Sequence, residues 1–320
     1  MTGVTQLSTL PGATVLVLGD LMLDEYVWGE VQRISPEAPV PIVEIRTRTH
    51  VPGGAANAAA GVTALGGRAL LAGVVGEDAA ASALREALTT AGVQLDGVAT
   101  DPQRPTTTKT RVIAHAQQVV RTDSETRSPP PGKVEADLVD WVRSQISEAD
   151  ALLISDYGKG VVSPAVAKGS IDAARGASKP VVVDAKGIHY SNYRGATVIT
   201  PNLQDAGRAA NVHIEKEEDL REAARRLTEA CGGAALLITR GAAGMTLFSV
   251  EHPLDVPAET QEVYDVTGAG DTVVAVLAVA LARDVPLPDA VGLANAAAGI
   301  VVGKVGTSTV ALSELEGHLG

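Results

Sequence analysis

Short apolar runs that each end in a polar residue recur through the second half of the chain and constrain its fold more than any other feature. They cover residues 151–156, 180–184, 198–202 and 234–240. The segments between them have the length and composition of helices. Strands that alternate with helices predict βαβ units, a parallel sheet and helices on both of its faces. Because ligands bind at the carboxyl ends of such strands, the polar tips are expected to line one crevice, although any single tip could be ordinary turn chemistry.

A similar apolar run near the amino terminus covers residues 14–18 and is followed by Gly19 and Asp20. Its aliphatic and β-branched composition predicts a buried parallel strand that delivers a carboxylate at its carboxyl end. Asp20 and the nearby Asp24 are therefore either turn formers or contacts to a ligand in the crevice.

A pair of glycines, Gly53 and Gly54, comes directly before an alanine-rich segment that is predicted to be a helix. Glycines at a helix start allow a ligand to approach the backbone closely. Asn57 lies one turn inside this helix, and its amide could hydrogen-bond the same ligand.

The glycine-rich string at residues 265–271, Asp-Val-Thr-Gly-Ala-Gly-Asp, runs directly into the apolar residues 272–277. An extended run ending at Tyr264 is expected to precede it. The glycines would thus lie at a helix amino terminus, where unpaired N–H groups and the helix dipole bind anions. Asp271 beside such a site could accept the proton of a hydroxyl that attacks a phosphate. The arrangement predicts phosphoryl transfer from a nucleotide to an alcohol, whereas the alternative is a simple helix cap.

The composition excludes several classes of protein. The 320 residues allow one large α/β domain or two smaller ones, and the net charge of -12 argues against a nucleic-acid-binding surface. The single cysteine, Cys231, cannot form an internal disulfide and is expected to be a small buried residue in a reducing compartment. No secretory signal precedes the first strand, and the apolar runs are shorter than a membrane span. A cytoplasmic protein with no membrane partner is expected.

Two pairs of extended segments are predicted to form a small sheet that projects from the main body. One pair covers residues 26–28 and 40–48, and the other covers residues 106–113 and 117–123. Exposed edges of such strands can pair with a second copy, which predicts a homodimer through this sheet.

Three basic residues of the second pair are candidates for binding an anionic substrate group. With a turn centred on His115, Lys109 is predicted to lie opposite Arg121, and Arg111 opposite Val119. Like charges directly across a pair of strands are unfavourable unless something negative lies between them. The pattern therefore predicts contact with a substrate phosphate, and the alternative is a solvated charged face.

The string at residues 265–271 resembles the carboxy-terminal signature of the ribokinase, or PfkB, family of sugar kinases, and residues 52–57 resemble the Gly-Gly-x-x-x-Asn element of the same family. The resemblance implies a ribokinase-like three-layer αβα sandwich with a mostly parallel central sheet. It also implies a single kinase domain over residues 1–320 with a projecting β lid at about residues 24–50 and 104–124. The chain contains no Walker A string and no GxGxxG followed by a suitably placed acid, so classes built on those motifs are disfavoured.

The resemblance assigns roles to individual residues. Asp271 would be the catalytic base, with an anion hole at Gly268, Ala269 and Gly270. The residues implied to bind the sugar are Asp20, Asp24, Gly53, Gly54, Asn57, Lys109, Arg111, Arg121, Asp156 and Lys159. The residues implied to bind ATP are Lys186, Asn202, Asp205, Thr239, Arg240, Gly241, Gly244 and Asn295. Asp205 would contact Mg²⁺ through water, and Asp265 with Thr267 would help to bind a monovalent cation such as K⁺.

Longer strings narrow the resemblance to the kinase domain of D-glycero-D-manno-heptose 7-phosphate kinases. They lie at residues 19–24, 33–41, 52–57, 155–160, 200–202, 262–271 and 295–309. This subfamily would use ATP to phosphorylate the anomeric hydroxyl of heptose 7-phosphate, giving the 1,7-bisphosphate for ADP-heptose biosynthesis. A substrate that already carries phosphate agrees with the predicted basic cluster.

Two departures from the subfamily pattern are evident. Position 205 is Asp where the family has Glu, so the carboxylate reaches less far towards hydrated Mg²⁺. The chain ends at Gly320 with no following nucleotidyltransferase domain, so a stand-alone kinase is expected. The alternatives are a PfkB kinase for another sugar phosphate or a nucleoside, and a non-catalytic sugar-binding or regulatory protein of the same fold.

Overall fold

The computed structural model describes residues 7–115, 117–249, 253–259 and 264–320. Most of the extended run that was predicted to lead into Tyr264 lies outside these described residues.

Strands of the described residues fall into a large sheet and a small one. In chain order they are β1 (Thr14–Gly19), β2 (Leu21–Ile34), β3 (Pro41–Gly54), β4 (Arg68–Val75), β5 (Gln94–Thr100), β6 (Thr107–Ala114), β7 (Gln117–Ser124), β8 (Ala151–Asp156), β9 (Val181–Ala185), β10 (Val198–Ile199), β11 (Ala235–Thr239), β12 (Met245–Phe248) and β13 (Leu254–Val256). The helices are α1 (Ala55–Ala64), α2 (Ala79–Thr90), α3 (Gly132–Gln145), α4 (Pro164–Gly176), α5 (Leu203–Ala210), α6 (Glu217–Ala230), α7 (Ala269–Ala282), α8 (Leu287–Val302) and α9 (Leu312–Leu319). Two short 3-10 helices lie at Tyr190–Tyr193 and Gly241–Ala243.

The large sheet has the strand order β13-β12-β11-β10-β9-β8-β1-β4-β5. All neighbouring strands from β11 to β5 are parallel, and only β12 and β13 are antiparallel additions at one edge. The predicted mostly parallel sheet is therefore confirmed. Parallel strands are covered on both faces, which explains why their sequences are continuous apolar runs.

Helices cover both faces of this sheet and divide the core into two layers. Helices α1, α2, α7 and α8 pack on one face, where Val15 and Val17 of β1 point, and α3 to α6 pack on the other, where Leu16 and Leu18 point. Helix α7 is buried on all sides from Asp271 to Ala280, which is the environment of a helix whose sequence is apolar all round. The three-layer architecture predicted from the sequence is confirmed.

The small sheet, here called the lid, has the order β3-β2-β6-β7. Strand β2 is antiparallel to β3 and parallel to β6, and β6 and β7 form a hairpin. Its strands overlap residues 24–50 and 104–124, and β2 and β3 are longer than the extended segments predicted at residues 26–28 and 40–48. Both edge strands carry exposed apolar side chains, among them Ile45 on β3 and Val120 on β7.

The predicted register of the β6–β7 hairpin is wrong. Lys109 lies opposite Asp123, and Arg111 lies opposite Arg121. Ala114 pairs with Gln117 at the end of the hairpin, and a β-bulge between Val112 and Ile113 then shifts the pairing by one more residue. A bulge adds an unpaired residue to one strand, and the alternation of side chains gives no sign of it.

Cys231 is completely buried, as predicted. Among the helices of the described residues, none combines the length and the apolar character that crossing a bilayer requires.

Candidate active site

A cavity of about 780 Å³ lies where the lid faces the carboxyl ends of the large sheet and the start of α7. The predicted site residues that line it are Asp24, Gly54, Lys109, Arg111, Lys186, Asn202, Thr239, Arg240, Gly241, Gly244, Thr267, Gly268, Ala269, Gly270, Asp271 and Asn295. Strand ends, lid and helix head thus meet at one crevice.

Other predicted site residues do not line this cavity. They are Asp20, Gly53, Asn57, Arg121, Asp156, Lys159, Asp205 and Asp265. Four of them, Asp20, Asn57, Asp205 and Asp265, hydrogen-bond residues that do line it.

The head of α7 has the geometry of an anion site. Gly268 has φ of 83°, a left-handed conformation that glycine adopts without strain, and a Cβ there would lie 3.1 Å from Asn57 Nδ2. The first helical hydrogen bond runs from Thr272 N to the Gly268 carbonyl at 3.0 Å. The Ala269 amide donates to the Val266 carbonyl at 3.3 Å, so the amides of Gly270 and Asp271 are the ones left for a ligand. These two amides overlap the predicted anion hole, Gly268 to Gly270, at Gly270.

The Asp271 carboxylate is held by two donors from distant parts of the chain. The Tyr157 hydroxyl donates to Oδ1 at 2.6 Å, and Asn57 Nδ2 donates to Oδ2 at 2.8 Å. Burial raises the pKa of Asp271 to about 7, against the lowering effect of these two hydrogen bonds. A carboxylate with a pKa near neutrality is suited to act as a general base.

Asp20 holds the loop that follows β8. Its carboxylate accepts hydrogen bonds from the amides of Tyr157, Lys159 and Val161 at 2.8, 3.0 and 3.1 Å. Burial nevertheless raises its pKa above the ordinary value. The carboxylate turns away from the cavity to this loop, so the expected contact with sugar hydroxyls is replaced by a role in positioning Tyr157.

Asp156 is also turned away from the cavity. It accepts hydrogen bonds from the Gly158 amide at 2.8 Å and from the Tyr193 hydroxyl at 2.5 Å. Burial, reinforced by the nearby Asp20 carboxylate, raises the pKa of Asp156 to about 6.

The lid contributes the positive charge of the cavity. Arg111 Nη1 lies 2.6 Å from Asp24 Oδ1, and the Thr307 hydroxyl donates to Asp24 Oδ2 at 3.0 Å. Lys109 forms no ion pair with any described carboxylate, and burial lowers its pKa. An ammonium group that faces a cavity without a bound counterion is available to an anionic ligand.

Two other predicted basic contacts point elsewhere. Arg121 is half exposed and donates to Asp123 on its own strand at 2.9 and 3.1 Å. Lys159 Nζ lies 2.5 Å from Glu125 Oε2, which ties the loop after β8 to the end of β7. Neither side chain lines the cavity, although Arg121 is paired with Arg111 across the hairpin and the charge of Lys159 helps to lower the pKa of Lys109.

The opposite side of the cavity contains the residues predicted to bind ATP. Lys186 Nζ lies 3.2 Å from Asp184 Oδ1, and this carboxylate raises the pKa of Lys186, although burial alone would lower it. Cβ atoms added to Gly270 or Gly241 would meet nothing within 4 Å. Both glycines therefore leave open space in the wall that a side chain would occupy. Asn295 donates to the Pro257 carbonyl at 3.0 Å.

The predicted metal contacts are engaged within the protein. Asn202 caps α5 and holds Asp205 through two hydrogen bonds of 2.7 Å, and Arg208 donates to the same carboxylate at 2.8 Å. Asp265 accepts from the amide and hydroxyl of Thr267 at 2.9 and 2.6 Å. The described residues contain no group of three acidic, histidine or cysteine side chains that could hold a metal ion.

Tyr157 and Thr307 line the cavity but were not selected from the sequence. Both lie inside strings that carried the family resemblance, at residues 155–160 and 295–309. The string around Tyr157 is the signal that points to this residue, although the charged residues Asp156 and Lys159 in it are the more obvious candidates for a polar site.

Comparison with known proteins agrees with this geometry. The family model described as pfkB family carbohydrate kinase matches residues 13–314. The chain is 48% identical over 309 residues to the bifunctional protein HldE of Geobacter metallireducens and 47% identical over 308 residues to that of Caulobacter vibrioides. Each alignment covers 95% of this chain, but only 62% and 63% of the relative, so the chain spans a little under two thirds of their length.

Solved structures of low sequence identity share the fold. Arabidopsis thaliana ribokinase, complexed with ribose and ATP, superimposes with a TM-score of 0.76 at 22% identity, over 97% of this chain and 99% of that one. Escherichia coli phosphofructokinase-2 in complex with potassium gives 0.77 at 21% identity, over 96% and 97%. With the family model covering nearly the whole chain, the protein belongs to the pfkB family of carbohydrate kinases and is an ATP-dependent sugar kinase.

Proposed function

We propose that this kinase transfers the terminal phosphoryl group of ATP to the anomeric hydroxyl of D-glycero-D-manno-heptose 7-phosphate, in the biosynthesis of ADP-heptose. The observation that carries the proposal is the arrangement of one cavity, with Asp271 and free amides at the head of α7 and Lys109 with Arg111 on the lid. The similarity to HldE proteins over 95% of this chain supports a heptose phosphate as the acceptor.

The cavity wall fits a nucleotide. Gly241 and Gly270 leave space where side chains would otherwise project, and Gly241 and Gly244 have φ of 59° and 84°, which suits glycine. Lys186, Asn202 and the amides of Gly270 and Asp271 would hold the phosphates. Bound ATP supplies the phosphoryl group and a good leaving group.

Mg²⁺ is proposed to enter with the nucleotide. Magnesium in nucleotide sites keeps several waters and is held largely by substrate phosphates. Asp184 is a nearby carboxylate whose Oδ2 has no hydrogen-bond partner within the described residues, and Asp205 lies behind Asn202. These donors suit contacts through water, and the described residues contain no group of side chains that could hold the ion by themselves.

In the proposed reaction, Asp271 accepts the proton of the anomeric hydroxyl. The hydroxyl oxygen then bonds to the terminal phosphorus as the bond to the ADP oxygen breaks, and the electron pair of that bond leaves with ADP. The amides of Gly270 and Asp271 hold the negative charge of the transferred group. Lys109 and Arg111 bind the 7-phosphate and so align the far end of the sugar.

An acceptor panel tests the proposal. ADP release would be measured with both anomers of heptose 7-phosphate, unphosphorylated heptose, ribose, fructose 6-phosphate and adenosine. One anomer of heptose 7-phosphate is expected to give the highest kcat/KM, about 10- to 100-fold above unphosphorylated heptose, because charged hydrogen bonds to the phosphate are lost. A higher kcat/KM for fructose 6-phosphate would favour a kinase for another sugar phosphate, and turnover of adenosine would favour a nucleoside kinase.

A homodimer through the lid is also proposed. The edge strands β3 and β7 offer unpaired backbone groups, and Ile34, Ile45, Val119 and Val120 are exposed on the lid. Edges of this kind pair with further strands unless they are blocked. Light scattering after size exclusion should give twice the chain mass, and an Ile45→Lys variant should give the monomer.

A further inference from the structure

Tyr157 lies between the Asp271 carboxylate and two lysines of the cavity, Lys109 on the lid and Lys186 on the opposite side. It follows β8, lines the cavity and donates its hydroxyl to Asp271 Oδ1 at 2.6 Å. We propose that Tyr157 is a positioning residue of this kinase, whose hydroxyl holds the Asp271 carboxylate in the orientation that receives the proton of the sugar hydroxyl. This inference rests on the proposed role of Asp271 as the base.

The carboxylate of Asp271 is held from two sides. Tyr157 donates to one oxygen and Asn57, on α1, donates to the other at 2.8 Å. Two donors on different oxygens fix the plane of the carboxylate, because rotation would break both hydrogen bonds. Each oxygen of an ionised carboxylate still has a lone pair for a further hydrogen bond. The sugar hydroxyl can therefore donate to a carboxylate whose direction is already set.

Tyr157 is itself fixed by its surroundings. Its backbone amide donates to Asp20 at 2.8 Å. Lys109 Nζ lies 5.5 Å and Lys186 Nζ lies 5.4 Å from the centre of its ring, within the range of cation–π attraction. Burial raises the pKa of Tyr157 well above its ordinary value, so the hydroxyl keeps its proton and remains a donor throughout the working pH range.

The charged groups around this pair act on Asp271 in opposite directions. Asp184 raises the pKa of Asp271, and Lys186 lowers it. Asp24 on β2 and Lys109 on β6 face Tyr157 from the lid. All four groups remain in a Tyr157→Phe variant, which also keeps the ring. This substitution removes the donor to Asp271 and, with it, the lowering effect of the Tyr157 hydroxyl on the pKa of Asp184.

The test is the pH dependence of Tyr157→Phe turnover. Without the hydroxyl donor, kcat should fall on the order of 10-fold, the size of a hydrogen bond to a charged group, while KM for ATP and sugar phosphate changes little. The pKa of Asp271 should rise beyond its present value, so the acidic limb of kcat/KM should move to higher pH. Wild-type kcat with an unmoved limb would overturn the proposal.

Tyr193→Phe is the matched control. Tyr193 donates to the buried Asp156 at 2.5 Å, but Asp156 does not line the cavity. This variant loses the same kind of hydrogen bond and should leave the acidic limb in place. If both tyrosine variants moved the limb equally, the effect would be a general consequence of lost packing, and the positioning role of Tyr157 would be rejected.

A second measurement avoids any dependence on the stability of the phenylalanine variant. Fluorinated tyrosines incorporated at position 157 are progressively better donors, so they should move the acidic limb to lower pH in the order of their acidity. A limb that stays fixed across the series overturns the proposal. An Asp271→Asn enzyme assayed alongside separates the role of Asp271 from the role of Tyr157. Full activity of Asp271→Asn would reject Asp271 as the base. Loss of activity in Asp271→Asn together with an unaffected Tyr157→Phe enzyme would reject only the role of Tyr157.

Discussion

The two ends of the cavity provide for negative charge in different ways. At the head of α7 the donors are neutral amides, and the neighbouring Asp271 is buried and held by Asn57 and Tyr157. On the lid the donors are the cations Lys109 and Arg111, carried by a sheet whose outer strand β7 lies at the surface along its length. A permanent charge on a substrate is best met by an ion, while a charge that exists only during transfer is best met by fixed dipoles. Under the proposed function, the helix head would carry out the chemistry and the lid would select the substrate.

The largest effect is expected from Asp271→Asn, which removes the base and keeps the shape of the side chain. Because Asn cannot take up the proton of the hydroxyl, kcat should fall about 10²- to 10⁴-fold, with small changes in KM. Coupled ADP release measures this loss. Asp284→Asn is the control, since Asp284 is exposed with φ of 57°, a conformation that Asn tolerates well. If Asp271→Asn were as active as Asp284→Asn, Asp271 would not be the catalytic base.

Lys109→Met tests the lid end. It keeps the length of the side chain and removes its charge, so KM for a phosphorylated sugar should rise about 10- to 100-fold, while KM for ATP should change little. Arg121→Ala is the matched control on the neighbouring strand, because Arg121 pairs with Asp123 outside the cavity. An Arg121 variant as impaired as the Lys109 variant would mean that the lid acts through its overall charge.

Gly270→Ala tests the close approach of a phosphate to the helix head. A Cβ there meets no protein atom within 4 Å, so the variant should fold normally. The methyl group would instead occupy part of the cavity, and KM for ATP should rise on the order of 10-fold, as expected for displaced charged hydrogen bonds. Gly292→Ala on α8 also meets nothing within 4 Å and should leave the kinetics unchanged. Unaltered ATP binding in the Gly270 variant would place the phosphates elsewhere.

The smallest effect concerns stability. Asp271 has a folded-state pKa raised from 3.8 to about 7, so the folded state holds its proton more tightly than the unfolded state. Stability should therefore decrease as pH rises between these values. Asp271→Asn should raise Tm by a few degrees at pH 8, with no gain at pH values below 3.8, where both states are protonated. Thermal unfolding at several pH values measures this, and a Tm gain that is independent of pH would show that burial of the charge is not its cause.

The large sheet and the helix head were predictable because their signals are local. The buried strand at residues 151–156 shows itself as a continuous apolar run, and the head of α7 as glycines followed by apolar residues. Each element needs only its own residues to be identified. The roles implied by the family resemblance then placed most of the nucleotide-side residues on the cavity wall.

The remaining features depend on contacts between distant residues. Asp20 follows a strand and could face the crevice or turn away from it, and its hydrogen bonds reach a loop about 140 residues further along the chain. The register of β6 with β7 depends on a bulge that leaves the alternation of polar and apolar residues unchanged. A single tyrosine such as Tyr157 forms no recognisable pattern in the sequence. Its role follows only from the distance between its hydroxyl and Asp271.

The β2–β3 part of the lid joins the body without a linker. Only Asp20 separates β1 from β2, and β3 ends at Gly54, directly before α1. A change in the tilt of β2 at this junction would turn the backbone at Asp20, the residue that also anchors the loop carrying Tyr157. We expect that opening of the lid for product release also weakens the hydrogen bond by which Tyr157 holds Asp271. In an open enzyme that holds ATP but no sugar, the Asp271 carboxylate would then not be oriented to accept a proton. Hydrolysis of ATP by water would be slow in that state.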